Sequence, residues 1–307
     1  MRVLVTGAGG MLGGAVRRAA LRRPDLELLT PCRRELDLLD RDAVRSAVTR
    51  LQPDGVLHLA ARVGGIQANI ADPVGFYVEN SLINLHVLDA AAGAGVPRLL
   101  NVGSSCMYPA DVDGLLREDM ILSGPLEPTN EGYALAKIGA ARHCAYVSRQ
   151  AGFAYRTVIP CNLYGPGDAF DPERSHLVAA AVKKVVDAKI GGLDSVEVWG
   201  DGAARREFLH VDDLAAFLVW ALGREADLPE LLNVGCGEDR SVNDYYRLAA
   251  EAAGWRGRLE HDLSKPVGMR RKLMDVSRAA ALGWRPQIAL ERGLSEVAAA
   301  YEAEIRS

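Results

Sequence analysis

Apolar residues in the first half of the chain fall into short runs separated by stretches of helical period. Arg2-Val-Leu-Val5 is too short for a helix and reads as a buried strand. It leads into Thr6-Gly7-Ala-Gly-Gly10-Met-Leu-Gly13, and apolar positions then recur at helical spacing over residues 11–22. Glu27 to Thr30 predicts a second strand, Asp37-Leu-Leu-Asp40 a further short one, and Gly55 to Ala61, Leu99 to Gly103 and Ala154 to Pro160 three more. Residues 78–93 and 133–150 predict long helices between them. Strand and helix alternating in this way predict an α/β fold, a doubly wound parallel sheet of Rossmann type covered on both faces.

Beyond Gly167 the pattern is less regular. Helices are expected at 175–189, from Asp212 to Gly223 and at 289–304, and strands from Val196 to Trp199, Arg206 to Val211 and Leu231 to Val234. The expected organisation is a dinucleotide-binding domain of residues 1–163, to which about 206–235 return, and a smaller, discontinuous substrate domain of about 164–205 and 236–307.

Composition narrows the partners. The 307 residues are 49% hydrophobic and 25% charged with a net charge of −4, as in a soluble globular protein, and carry no basic surplus for nucleic acid. No apolar run approaches the ~18 residues that a membrane span needs. Cys32, Cys106, Cys144, Cys161 and Cys236 are scattered without CxxC pairs, which argues against a disulfide framework or a metal site and fits a reducing cytoplasm.

Four features carry chemistry. The GxxGxxG spacing lets the chain turn at Gly7, approach a pyrophosphate near Gly10, and pack helix on strand at Gly13. The second strand ends in Pro31-Cys32-Arg33-Arg34, with no acid for a ribose 2′-hydroxyl. Arginine there suits a 2′-phosphate and so favours NADP(H) over NAD, the alternative being that both arginines only solvate a loop. Tyr133 and Lys137 lie four apart on one helix face, where the ammonium is expected to lower the tyrosine pKa from about 10 and ready it for proton transfer. Ser104-Ser105-Cys106 leaves the carboxyl end of a strand, the edge at which such sheets bind ligands.

With these features the sequence resembles the extended short-chain dehydrogenase/reductases, and among them the branch that converts GDP-4-keto-6-deoxy-D-mannose to GDP-L-fucose. The similarity runs nearly end to end. It is carried by the Gly7 turn, Ala60-Ala-Arg-Val-Gly-Gly-Ile66, Gly103-Ser-Ser-Cys-Met-Tyr-Pro109, Leu126-Glu-Pro-Thr-Asn-Glu131, Asn162-Leu-Tyr-Gly-Pro166, Ser175-His176, Val198-Trp-Gly200, Arg206-Glu-Phe-Leu-His-Val-Asp-Asp213 and Arg271-Lys-Leu-Met-Asp-Val276. The resemblance implies NADP(H) held by Gly7, Gly10, Met11, Gly13, Arg33, Asp37, Leu38, Ala60, Tyr133, Lys137, Pro160, Asn162, Leu163 and His176. It implies 3,5-epimerisation with Cys106 as base and His176 as acid, then 4-keto reduction with Ser104, Tyr133 and Lys137. Asn162, Lys184, Trp199, Arg206 and Lys272 are the implied contacts to the GDP-sugar, although Lys184 also reads as half of a solvated Lys183-Lys184 pair. A homodimer through the two long helices is implied too.

Departures keep other readings open. The glycine turn has Ala8 and Gly9 where a basic residue is common in the family, so NADP selectivity rests on Arg33, and Gly167 and Ala169 stand where bulkier polar residues are common. Another 4-keto sugar nucleotide is therefore an alternative substrate. An NAD-retaining nucleotide-sugar epimerase or dehydratase is a second reading, but Cys106-Met107 replaces the acidic pair expected of a dehydratase. A non-enzymatic dinucleotide sensor would not need the serine and the Tyr/Lys pair, and both are present.

Overall fold

The computed structural model describes residues 1–171, 175–265 and 268–306. The first half contains β1 (Arg2–Thr6), α1 (Met11–Ala20), β2 (Glu27–Leu29), α2 (Arg41–Leu51), β3 (Gly55–His58), α3 (Ile66–Ala71), α4 (Pro73–Gly93), β4 (Arg98–Val102), α5 (Glu131–Ala151) and β5 (Ala154–Pro160). The second contains β6 (Asn162–Tyr164), α6 (Leu177–Gly191), β7 (Ser195–Trp199), β8 (Arg205–Arg206), β9 (Phe208–His210), α7 (Val211–Ala221), β10 (Leu231–Val234), β11 (Arg240–Ser241), α8 (Val242–Ala253), β12 (Arg258–Asp262), β13 (Arg271–Lys272), α9 (Ser277–Ala281) and α10 (Leu290–Glu304).

The six-stranded central sheet has the order β2-β1-β3-β4-β5-β10 and every pair in it is parallel. Neighbouring residues of a strand face opposite sides, and both sides are buried here: Val3 and Val5 enter one apolar cluster, Leu4 between them enters another. Covering both faces is what turns each strand into a continuous apolar run. A third cluster, built on Val182, Val198, Phe208, Tyr245 and Leu294, joins α6, β7, β9, α8 and α10.

Caps set the helix boundaries. Asp72 accepts the Gly75 amide at 2.9 Å with Pro73 in the first turn of α4, so this helix begins five residues before the apolar pattern at Val78 does. Gly152, at φ +71°, closes α5. Ser241 and Asp244 form a capping box on α8.

Two expected strands differ. Asp37–Asp40 is a turn: Asp37 accepts the Leu39 amide at 3.1 Å, and Asp40 accepts the Ala43 amide at 3.0 Å as the cap of α2. Side chains that bond their own backbone compete with a ladder, so the sheet ends at β2. Arg206 to Val211 is not one strand. Glu207 turns inward and takes the amides of Gly237 and Met274 at 2.8 and 2.9 Å, which divides the run into β8 and β9. β8 then joins the small sheet β11-β8-β13, while β9 pairs with β6. Among the described residues no helix is long and apolar enough to cross a membrane.

Candidate active site

The chain leaves β1 toward β2 on one side and returns to β3 on the other, which opens a crevice at the carboxyl ends of β1 and β3. Gly7, at φ +72°, leads out of β1, and a Cβ there would lie 2.8 Å from Ala60 Cα. A Cβ on Gly13 would strike the Gly7 carbonyl and Ala8. Both positions therefore require glycine. Gly10 caps α1 without a side-chain bond, so the first amides of the helix face a cleft lined by Gly9, Gly10, Met11, Gly14, Arg18, Pro166 and Gly167. This cradle fits a dinucleotide pyrophosphate.

The other expected cofactor positions lie along that edge or beyond β2. Ala60 follows β3, Pro160 is buried at the end of β5, and Leu163 and Asn162 are on β6, where Asn162 donates to the Glu207 carbonyl at 3.1 Å. Arg33 and Asp37 are exposed in the turn after β2, and the Leu38 carbonyl lies 2.9 Å from His86 Nδ1.

Ser104 follows β4 by two residues, and Tyr133 and Lys137 project from the first turns of α5 toward it. Tyr133 shares a side-chain hydrogen bond with Ser104. Lys137 is 2% exposed, donates to the Val102 carbonyl at 2.7 Å, and lies 5.9 Å from the Tyr133 ring centre. Burial lowers its pKa to about 8. The expected lowering of the Tyr133 pKa does not occur: burial of the phenol and the nearby Cys106 raise it, and the bond to Ser104 only offsets part of this. Four-residue spacing puts the two groups on one face, but the ammonium is engaged with Val102 rather than with the phenol oxygen. The Tyr133 phenol therefore keeps its proton at neutral pH.

Cys106 lies beside this group and is half-buried. Asn130 Nδ2 points at its sulfur from 3.4 Å and Lys272 Nζ from 3.7 Å. His176 occupies the cap position of α6 yet makes no capping bond, which leaves its imidazole available. The protein atoms around the ring and then the charge of Lys272 hold its pKa below the usual value. The structure thus brings Ser104, Cys106, Tyr133, Lys137, His176 and Lys272 to one end of the sheet.

Register explains how basic residues reach this end. Arg205 pairs with Arg271 and Arg206 with Lys272 across parallel β8 and β13. Buried Asp239 binds Arg205 Nε at 2.9 Å and also Arg271, holding both guanidinium groups on one face. Arg206 and Lys272 therefore share the opposite face, the one nearer Cys106. Farther out, Trp199 is flanked by Lys184 at 5.8 Å and by Lys265 at 5.7 Å, and donates to Glu197 at 2.8 Å. Lys184 also donates to the Glu197 carbonyl at 2.8 Å, so it is anchored rather than merely solvated.

Pattern reading overlooked Asn130, Asp239, Lys265 and a buried chain through His58. Thr6 Oγ1 lies 2.7 Å from His58 Nδ1, His58 Nε2 3.0 Å from Asn84 Oδ1, and Asn84 donates to the Ala136 carbonyl at 3.1 Å. Burial and then the Lys137 charge lower the His58 pKa to about 3, so the ring stays neutral and bridges the glycine turn to the helix that carries Lys137. Polar residues inside apolar runs were the available signal.

A dinucleotide cradle at a topological switch point, with serine, tyrosine and lysine at the same edge, defines a Rossmann oxidoreductase of the short-chain type. Residues 3–235 match the NAD dependent epimerase/dehydratase family, and the chain belongs to it. Over 297 residues it is 46% identical to the GDP-L-colitose synthase of Yersinia pseudotuberculosis, with 96% of both chains aligned. Over 293 residues it is 46% identical to a GDP-L-fucose synthase of Azorhizobium caulinodans, covering 95% of this chain and 94% of the relative. The solved GDP-mannoheptose C4 reductase of Campylobacter jejuni, with NADP bound, superposes with a TM-score of 0.87 at 29% identity, covering 98% of each chain.

Proposed function

We propose that the protein is an NADP(H)-dependent epimerase and reductase that converts GDP-4-keto-6-deoxy-D-mannose to GDP-L-fucose. The convergence of Cys106, Ser104, Tyr133 and Lys137 at one sheet edge carries this reading, because one polarised ketone then serves two reactions. Bound NADPH supplies the hydride for carbon 4. Ser104 and Tyr133 hydrogen-bond the 4-keto oxygen, which acidifies the hydrogens on carbons 3 and 5. Cys106 removes those protons and His176 returns protons to the other face of the enolate. Tyr133 then protonates the oxygen as the ketone is reduced, and Lys137 would hold the cofactor ribose.

Arg206, Lys272 and Lys184 hold the diphosphate, Asn162 lies against the sugar, and Trp199 offers the base a flat surface. Gly7, Gly10, Met11, Gly13, Ala60, Pro160 and Leu163 form the cofactor bed, with His176 at its nicotinamide end. Arg33 receives the 2′-phosphate beside Asp37 and Leu38. Residues 1–163 with 206–235 act as the cofactor domain, and 164–205 with 236–307 as the nucleotide-sugar domain. Exposed Val74, Val78, Leu82 and Leu85 on α4 and Leu135 on α5 support a homodimer through these helices, in the cytoplasm.

Equal identity to a GDP-L-colitose synthase favours one second reading, a related 4-keto GDP-deoxyhexose leading to GDP-L-colitose. The test is NADPH oxidation with GDP-4-keto-6-deoxy-D-mannose, with the product identified by NMR and with NADH and Cys106→Ser as controls. GDP-L-fucose formed by the parent and lost in Cys106→Ser supports the proposal. NADPH binding without turnover of this substrate would refute the sugar assignment.

A further inference from the structure

Asn130 is the cap residue of α5, where an asparagine side chain ordinarily accepts an amide of the first turn through Oδ1 and so stabilises the helix. Here it makes no capping bond, and its buried Oδ1 has no partner. Its Nδ2 instead points at Cys106 Sγ from 3.4 Å. Lys272 Nζ approaches the same sulfur from 3.7 Å, reaching across from β13. The sulfur is thus offered two N–H groups, one of them cationic. A thiol is a poor acceptor with a proton of its own to place, whereas a thiolate accepts only.

From this donor set we infer that Asn130 is a positioning residue that, together with Lys272, holds the Cys106 sulfur in place and aims it at the substrate. The role rests on the reading of Cys106 as the base. In the step it serves, the sulfur lone pair takes a proton from carbon 3 or 5, the C–H electrons form the enolate, and the oxygen charge is held by Ser104 and Tyr133. The helix forgoes its cap to aim the amide, so stability is spent on the site rather than on the fold. Lys272 accordingly serves two partners, the sulfur and the diphosphate.

Two measurements on the full-length protein test the inference. The first is iodoacetamide labelling of Cys106 without substrate, followed by peptide mass spectrometry so that the other cysteines are counted separately. Asn130→Ala and Lys272→Met should each slow labelling of Cys106 by about tenfold, while labelling of exposed Cys32 stays within about twofold of the parent. Because Asn130 makes no capping bond, Asn130→Ala should keep the parent's melting temperature. The second is deuterium uptake at carbons 3 and 5 of GDP-4-keto-6-deoxy-D-mannose without NADPH, which should fall by about tenfold in Asn130→Ala at unchanged KM. Unchanged labelling in both variants overturns the role. Full uptake by Cys106→Ser would instead sink the reading of Cys106 as base, and the role with it.

Discussion

Lys137 donates to the Val102 carbonyl at 2.7 Å, which fixes the ammonium at the carboxyl end of β4 and keeps it from the phenol four residues before it. The bond gives a buried charge one strong acceptor. It does not return all the solvation lost, and the pKa falls from 10.5 to about 8.

That lowering predicts a pH profile. The ammonium is lost near pH 8 rather than above 10, so kcat/KM for NADPH-dependent reduction should decline from about pH 8 upward. Stability moves the other way. Between about 8 and 10.5 the folded chain binds fewer protons at this site than the unfolded chain, so the contribution of Lys137 to stability rises with pH across that window. Below pH 8 its burial penalty is fully present. Urea unfolding at pH 7.5 and 9.5 should show this gain in the parent and a smaller one in Lys137→Met.

The glycine turn predicts a contrast between near neighbours. A methyl at Gly13 meets the Gly7 carbonyl and Ala8, whereas one at Gly9 meets nothing within 4 Å. Gly13→Ala should destabilise the fold by about 1–3 kcal/mol and abolish NADPH binding, and Gly9→Ala should leave the melting temperature unchanged. Thermal melts and fluorescence titration with NADPH distinguish the two.

Asp239 separates substrate affinity from cofactor affinity. Removing its carboxylate releases Arg205 and Arg271 from their shared partner and loosens β8 against β13, the strands that carry Arg206 and Lys272. Asp239→Ala should raise KM for the GDP-sugar about tenfold, a loss of about 1.4 kcal/mol, with the Kd for NADPH unchanged. Steady-state kinetics beside a cofactor titration checks it.

The α4 surface makes a claim about assembly. Val78, Leu82 and Leu85 are exposed at spacings of four and three residues, one stripe of the helix. The double substitution Val78→Glu, Leu85→Glu should convert a dimer to a monomer in light scattering at micromolar protein and leave the melt cooperative. A parent that is already monomeric under these conditions would refute the homodimer.

Most of the central sheet was legible because burial on both faces writes each strand as an apolar run, as Val3, Leu4 and Val5 show. The glycine turn and the Tyr133/Lys137 spacing were legible for a similar reason: backbone closeness and helical period both leave marks in sequence. The Asp37–Asp40 turn was not, because its two apolar residues match a strand and only the side-chain bonds of Asp37 and Asp40 decide against it. The tyrosine pKa was misjudged because spacing says which face two groups share but not how deeply the phenol is buried, and burial is what raises it. Asn130 and Asp239 had no periodic signature, since their partners, Cys106, Arg205 and Arg271, lie far away in sequence.

The small sheet β11-β8-β13 draws on Arg205–Arg206, Arg240–Ser241 and Arg271–Lys272, two residues from each of three distant segments. No strand so short is stable alone, and each pairing must close a long stretch of chain. This sheet should therefore form late in folding and open early, after and before the glycine-turn end of the central sheet. Amides at 205–206 and 271–272 should lose hydrogen-exchange protection in mild urea while those of β1 and β4 keep theirs. A chain caught at that stage should bind NADPH in a titration and fail to bind a GDP-sugar.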